Sequence, residues 1–212
     1  MNKKTVKILD KLKERYPDAI CELDFGTSFE LLIAVILSAQ CTDKRVNAVT
    51  AELFQKVNTP EGFADMKQEE LEGYIRSCGF FRSKAKAIIS ASKDIISKFG
   101  GRVPDNFDDI TSLRGVGEKT AKVVLAEVYG QPYVAVDTHV FRVSRRLGLS
   151  GGATPEKVSK ELEKLIPDGY KPLCHHLLIF HGRYCCKSQK PMCGECVVKG
   201  ECEWVKELDL HL

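Results

Sequence analysis

Residues 113–125 read LRGVGEKTAKVVL. Gly115 and Gly117 stand one residue apart, a pairing that permits a tight turn and lets backbone approach another molecule closely. A short helical stretch precedes them, and a clear helical pattern runs from Glu118 to Tyr129 before Gly130 closes it. The segment therefore reads as helix, glycine hairpin, helix. Amides at the start of the second helix can hold a phosphate. A nucleotide-binding P-loop is excluded, because that motif needs glycines where Leu113 and Glu118 stand and a strand before them.

The same rhythm extends in both directions. The N-terminal residues 3–15 place Val6, Leu9 and Leu12 at helical spacing among lysines, as in an amphipathic surface helix. Ser28 is suited to cap a buried helix through FELLIAVILSAQ, and Asp43 a second carrying Val46, Val49, Leu53 and Val57. Further helices fit residues 68–77, 83–99, 137–147, 154–166 and 172–183, with Pro155 in a first turn and Pro167 just past an end. No alternating run bounded by hairpin turns suggests a strand. The expected fold is all-α, with the break at Gln131-Pro132 as the best internal boundary.

A chain of 212 residues with 43% apolar content can bury a core without disulfide staples. The longest apolar stretch, residues 31–37, is far too short for a membrane span, and the N-terminus lacks a signal-peptide core. These features point to an intracellular, reducing, cytoplasmic setting. The net charge of +3 is too small to announce a polyanion partner. Its distribution is uneven, however. Residues 61–72 hold Glu61, Asp65, Glu69, Glu70 and Glu72 against Lys67, a net of −4. Residues 76–102 hold Arg76, Arg82, Lys84, Lys86, Lys93, Lys98 and Arg102 against Asp94, a net of +6, and Arg142, Arg145 and Arg146 form another basic group. These are either solvated helix faces or a phosphate-facing side.

Five of the nine cysteines fall in the last 28 residues. Cys186, Cys193, Cys196 and Cys202 are spaced C-x6-C-x2-C-x5-C in a segment rich in Lys, Glu and Gly. Four soft thiolates so placed can close around zinc or an iron–sulfur cluster. Spacing alone separates neither those two nor Cys185 from Cys186 as first ligand. Cys21, Cys41, Cys78 and Cys174 read as small packing residues. Lys119, in the first turn behind the hairpin, reads alone as a surface charge, and Asp137, opening VDTHVFRV, as a helix N-cap. Together they supply an amine nucleophile and a carboxylate able to stabilise a sugar cation or assist proton transfer.

In LLIAVILSAQCTD, GFFRSKAKAI, LRGVGEKTAKVVL, VAVDTHVFRVSRRLGL, HHLLIFHGRYC and the terminal cysteine pattern, the chain resembles the endonuclease III family of helix–hairpin–helix DNA glycosylases. The resemblance runs from about residue 20 to the C-terminus. It implies a six-helix domain over residues 22–132 carrying the hairpin. A second helical domain, from residues 1–21 and 133–212, would hold a [4Fe-4S] cluster on Cys186, Cys193, Cys196 and Cys202, leaving Cys185 as an extra thiol. The implied activity is that of a monomeric bifunctional glycosylase and abasic-site lyase acting on damaged pyrimidines in double-stranded DNA. By the same resemblance Lys119 is the catalytic amine and Asp137 the catalytic carboxylate. Gln40 would fill the gap left by a flipped nucleotide and Phe80 would wedge against the opposite strand. Gly115, Gly117, His139, Lys187 and Lys190 would contact DNA.

Three positions depart from the family pattern. Arg114 replaces the usual hairpin proline, Cys41 stands where alanine or threonine is commoner, and Phe80 replaces a leucine. Four other readings fit less well. Adenine- and thymine-mismatch glycosylases normally lack the lysine at the position of Lys119. An electron-transfer protein leaves the rest of the chain unexplained, and a non-catalytic hairpin module has no need of Lys119 with Asp137.

Overall fold

The structure, a computed structural model, describes residues 3–209. Among these the secondary structure is helical, with no strand. None of the helices is long and apolar enough to cross a membrane. The chain divides into two compact units, residues 21–129 and residues 1–20 with 130–212.

The first unit is organised by α2 (Ser28–Ser38), which is buried from Phe29 to Leu37. A helix apolar all round must be surrounded. It packs against α3 (Asp43–Lys56), α6 (Phe81–Phe99) and α8 (Glu118–Tyr129). The short helices α4 (Pro60–Asp65), α5 (Gln68–Ile75) and α7 (Phe107–Ser112) complete the unit, giving seven in all. Two N-caps lie one residue earlier than expected. Thr27, not Ser28, caps α2 by accepting the Glu30 N–H at 3.1 Å, and Thr42, not Asp43, caps α3 by accepting that of Arg45 at 3.3 Å. In each case two capping-competent residues are adjacent, and Asp43 instead places its charge in the first turn, where the helix dipole favours it. Helix α6 starts two residues ahead of Ser83 and ends at Gly100, whose φ of 59° and the Gly101 N–H to Ile95 carbonyl bond form a left-handed C-terminal stop.

In the second unit α1 (Lys3–Arg15) lays Ile8, Leu9 and Leu12 on α11 (Lys171–Tyr184). Ile8 takes the inward position expected of Val6, which is only half-buried. Helix α9 (Thr138–Leu147) packs on α11, on α10 (Pro155–Leu165) and on α12 (Glu203–Asp209). Val140, Val143, Leu147, Leu177 and Leu178 are its apolar centre. Past α11 the chain makes only short 3-10 turns until α12. Charge fastens this segment to α1: Glu201 accepts from Lys7 at 2.7 Å and Lys11 at 3.1 Å, and Lys4 pairs with Glu203.

Candidate active site and metal centre

The hairpin is anchored by its apolar residues and shaped by its first glycine. Leu113 and Val116 are buried, and the Val116 N–H closes the turn on the Leu113 carbonyl at 3.1 Å. Gly115 has a φ of 83°, and a Cβ there would lie 2.6 Å from Ala87 Cβ on α6, so a side chain is excluded on two counts. Gly117 is different: it has ordinary φ, and a Cβ there would meet nothing within 4 Å. Its openness leaves the backbone at the start of α8 approachable from outside. Lys119 follows in the first turn of α8 with its side chain exposed, and Arg114 is exposed at the turn itself.

Gln40 and Phe80 occupy two abutting loops of the same unit. Both have left-handed backbone, with φ of 53° and 57°, and a Cβ on Gly79 would be 3.5 Å from the Gln40 carbonyl oxygen. Phe80 is 65% exposed, a large apolar side chain with no place in the core. The described residues other than glycine with positive φ are Gln40, Phe80 and Lys190. All three were singled out as DNA contacts from the sequence. Left-handed backbone in a non-glycine residue costs energy and concentrates where binding requires it.

Lys84, counted in the basic stretch 76–102, does not face outward. It is 6% exposed, and its Nζ donates to the carbonyls of Leu37 at 2.8 Å and Ala39 at 2.7 Å, fastening the loop that presents Gln40. Burial lowers its pKa from the ordinary lysine value. Cys78, beside Phe80's loop, is buried as a packing residue should be, whereas Cys41 is half-buried.

In the other unit Asp137 caps α9, its Oδ1 accepting the Val140 N–H at 2.7 Å, as expected of an N-cap. The carboxylate is half-buried. His139, two residues on, has its Nδ1 3.2 Å from Arg142 Nη2. That guanidinium also donates to the carbonyls of Gly182 at 2.9 Å and Cys186 at 3.1 Å. Arg146 donates to the carbonyls of Lys187 at 2.7 Å and Ser188 at 3.2 Å, lies 3.5 Å from Cys186 Sγ, and stacks 4.3 Å from the centre of the Trp204 ring. Arg142 and Arg146 are thus straps that hold the cysteine loop on α9, a role outside both readings of their charge, the solvated helix face and the phosphate-facing side. Their charge was visible in the sequence; the direction in which it points was not.

The loop so held presents Lys187 and Lys190 exposed. Behind it lies a cavity of about 290 Å³ of atom-free space, partly open to solvent. Cys186, Cys193, Cys196 and Cys202 all line it, together with Cys185, His181 and apolar side chains including Leu147 and Trp204. Four thiols around one apolar-walled cavity, without converging on a single point, fit a metal cluster rather than one ion. Burial pushes the Cys196 thiol up to about 12 and raises that of Cys202, and it pushes His181 down to about 4. Sequence reasoning missed His181. It is 1% exposed, with Tyr16 Oη 3.2 Å from Nδ1 and Cys196 Sγ 3.6 Å from Nε2. Nothing in a histidine of α11, fifteen positions from Cys196, announces that contact.

Residues 33–168 match the model of the HhH-GPD superfamily base excision DNA repair proteins. Endonuclease III of Haemophilus influenzae is 46% identical over 99% of this chain and 100% of its own length. Endonuclease III of Bacillus subtilis is 48% identical over 92% of this chain and 89% of its own. Among solved structures, that of a trapped endonuclease III–DNA covalent intermediate aligns with a TM-score of 0.90 at 45% identity, covering 99% of this chain and 100% of that one. A thermostable thymine-DNA glycosylase shares the fold, with a TM-score of 0.87 at 23% identity. The chain belongs to the endonuclease III family within the HhH-GPD base excision DNA repair proteins.

Proposed function

We propose that this chain is a bifunctional DNA glycosylase and abasic-site lyase of base excision repair. It removes oxidised or otherwise damaged pyrimidines from duplex DNA inside the cell and cuts the strand 3′ to the lesion. The observation that carries the reading is the exposed Lys119 in the first turn of α8, behind the hairpin, in a chain of this family.

A damaged base inside the stack is out of reach of a side chain, so the nucleotide must be extruded first. Gln40 fills the vacated space and Phe80 stacks against the opposite strand, each set by left-handed backbone for which a DNA contact is the return. Gly115 shapes the hairpin and the open Gly117 backbone takes a phosphate, while His139, Lys187 and Lys190 add contacts on the other unit. The Lys119 amine, once deprotonated, attacks C1′ of the sugar. The C1′–N bond breaks and the base leaves with its bonding electron pair and takes up a proton. Asp137 supplies negative charge opposite the developing sugar cation and accepts or returns protons as the ring opens to the Schiff base. Loss of a C2′ proton then expels the 3′ phosphate by β-elimination, and water releases the lysine. Cys186, Cys193, Cys196 and Cys202 would hold a [4Fe-4S] cluster, whose contribution is to cross-link the loop that carries Lys187 and Lys190 rather than to take part in bond cleavage.

Borohydride reduction tests the central step. It should trap the full chain covalently on duplexes containing an abasic site or an oxidised pyrimidine, and Lys119→Ala should abolish trapping while retaining DNA binding. Efficient trapping by Lys119→Ala would refute the assignment of the nucleophile. Asp137→Asn should slow base release by about 10²–10⁴-fold, the usual span for a positioned acid–base or electrostatic group.

A further inference from the structure

The cysteine loop carries five thiols, and the cluster reading uses four. The fifth, Cys185, is not stranded. The Nε2 of His181, the Sγ of Cys185 and the Sγ of Cys196 all lie within 4.8 Å of one another, and they are the one set of three or more such donor atoms this close among the described residues. The four cysteines of the spaced pattern surround a larger cavity without converging in this way. The loop therefore offers two donor sets of different size, and Cys196 belongs to both.

The smaller set has the dimensions of a single tetrahedral ion. Bonds of about 2.3 Å to sulfur and about 2.0–2.1 Å to nitrogen at a tetrahedral angle put the two donor atoms about 3.6 Å apart. The observed separation of His181 Nε2 from Cys196 Sγ is 3.6 Å. The imidazole is also oriented as a ligand needs. Tyr16 Oη lies 3.2 Å from Nδ1, so in the tautomer with its proton on Nδ1 that N–H donates to the phenol and the Nε2 lone pair is directed at the thiols. The His181 ring is almost wholly buried and has no freedom to turn away. A second, solvent-open cavity lined by Tyr16, His181, Cys185 and Glu195 adjoins two of the three donors, so a water can complete a fourth position.

We propose that His181, Cys185 and Cys196 form a site for one soft divalent cation, zinc above all, alternative to the four-cysteine centre. Binding replaces two thiol protons, which leave to solvent, with two metal–sulfur bonds, and involves no change of oxidation state. The site and the cluster exclude each other because each needs the Cys196 thiolate. This exclusion rests on the cluster reading above; the three-donor site itself does not. The site lets a chain that lacks iron hold its C-terminal loop on α11 with a different ion.

The test uses the full chain in two forms. As isolated, the wild-type chain should contain about four irons, retain them in Cys185→Ser and lose them in Cys193→Ser. The iron-free chain, kept reduced and anaerobic, is then titrated with cobalt(II) and zinc. One ion per chain is expected, with cobalt showing thiolate charge-transfer absorption and an intense tetrahedral ligand-field band. X-ray absorption on the zinc form should show two sulfur donors with nitrogen or oxygen completing the shell. Cys185→Ser and His181→Gln should each weaken cobalt binding by more than about 100-fold, Tyr16→Phe by about 10-fold as an orienting partner only, and Cys193→Ser should leave it in place. Four sulfur donors around zinc in the wild-type chain overturn the proposal without recourse to any variant. So does the absence of stoichiometric binding, or a loss in Cys193→Ser as large as in Cys185→Ser. A wild-type chain isolated without iron would instead overturn the cluster reading and leave the three-donor result to stand by itself.

Discussion

The unit of residues 21–129 and the unit of residues 1–20 and 130–212 are alike in size but held together differently. The first packs α3, α6 and α8 around α2, which is buried from Phe29 to Leu37, and sets its short helices against α6 and α8. The second has a smaller apolar centre and then a stretch, residues 185–202, with scarcely any helix of its own. That stretch is held by Arg142, Arg146, the Glu201 ion pairs and, on our reading, by metal. Apolar burial fixes an element wherever its sequence pattern is strong, whereas a polar loop keeps its shape only as long as every tie is made.

The largest expected effect follows from that difference. Cys193→Ser, by removing an iron ligand, should cost the second unit on the order of 5 kcal/mol or more, since metal binding at such a site is folding free energy. Hydrogen exchange read by segment should show protection lost across residues 185–206 and kept in α2. Equal loss of protection in α2 would mean that the two units do not differ in this way.

The hairpin offers a sharper contrast within the first unit. Gly115→Ala meets both a φ of 83° and a 2.6 Å approach to Ala87, so it should destabilise the fold by about 2–5 kcal/mol in thermal or denaturant unfolding. Gly117→Ala meets nothing and should change stability by less than about 1 kcal/mol, yet weaken DNA binding on the order of tenfold if its backbone takes a phosphate. A Gly117→Ala chain that binds DNA normally would remove that glycine from the interface.

Arg146 tests how the second unit uses charge. Arg146→Met leaves the carbonyls of Lys187 and Ser188 without their donor and removes the stack on Trp204, at a cost of about 1–3 kcal/mol. Arg145→Ala, next to it but exposed, should stay within about 0.5 kcal/mol. The salt dependence of DNA binding separates strap from phosphate contact. Removing a phosphate ligand lowers the slope by about one, and Arg146→Met should leave it unchanged.

These contrasts mirror what could be read before the fold was known. Helix ends marked by Gly100, Gly130, Pro155 and Pro167 were legible because backbone geometry restricts which residues can stand there. The hairpin and the C-x6-C-x2-C-x5-C spacing were legible for the same reason, each requiring particular residue types at particular intervals. The N-caps of α2 and α3 slipped by one because Thr27-Ser28 and Thr42-Asp43 each pair two good caps. Lys84, Arg142 and Arg146 misled because a charge count carries no direction: all three spend their donors on buried or loop carbonyls. His181 was invisible because its partners, Tyr16 and Cys196, are brought to it only by α1 packing on α11 and by the return of the loop.

The smallest effect concerns Glu161, an exposed residue whose Oε2 accepts from Ser150 Oγ at 2.7 Å and from the N–H groups of Gly151 and Gly152 at 3.0 and 3.2 Å. The Ser150 hydroxyl foremost, and the two glycine amides, hold its carboxyl below the ordinary value of 4.5. Folding thus favours the ionised form, so the stabilisation is fully present above the ordinary carboxylate range and disappears as pH falls through the lower, folded-state value. Glu161→Gln keeps a carbonyl acceptor but cannot titrate. The difference in melting temperature between wild type and Glu161→Gln should therefore be constant near neutrality and shrink in acid, and taking the difference cancels the acid sensitivity that thiolate ligands give to both chains. Parallel curves down to the lowest pH would show that the turn at 150–152 is held by its backbone alone. The loop between α9 and α10 would then resemble the first unit rather than the one it belongs to.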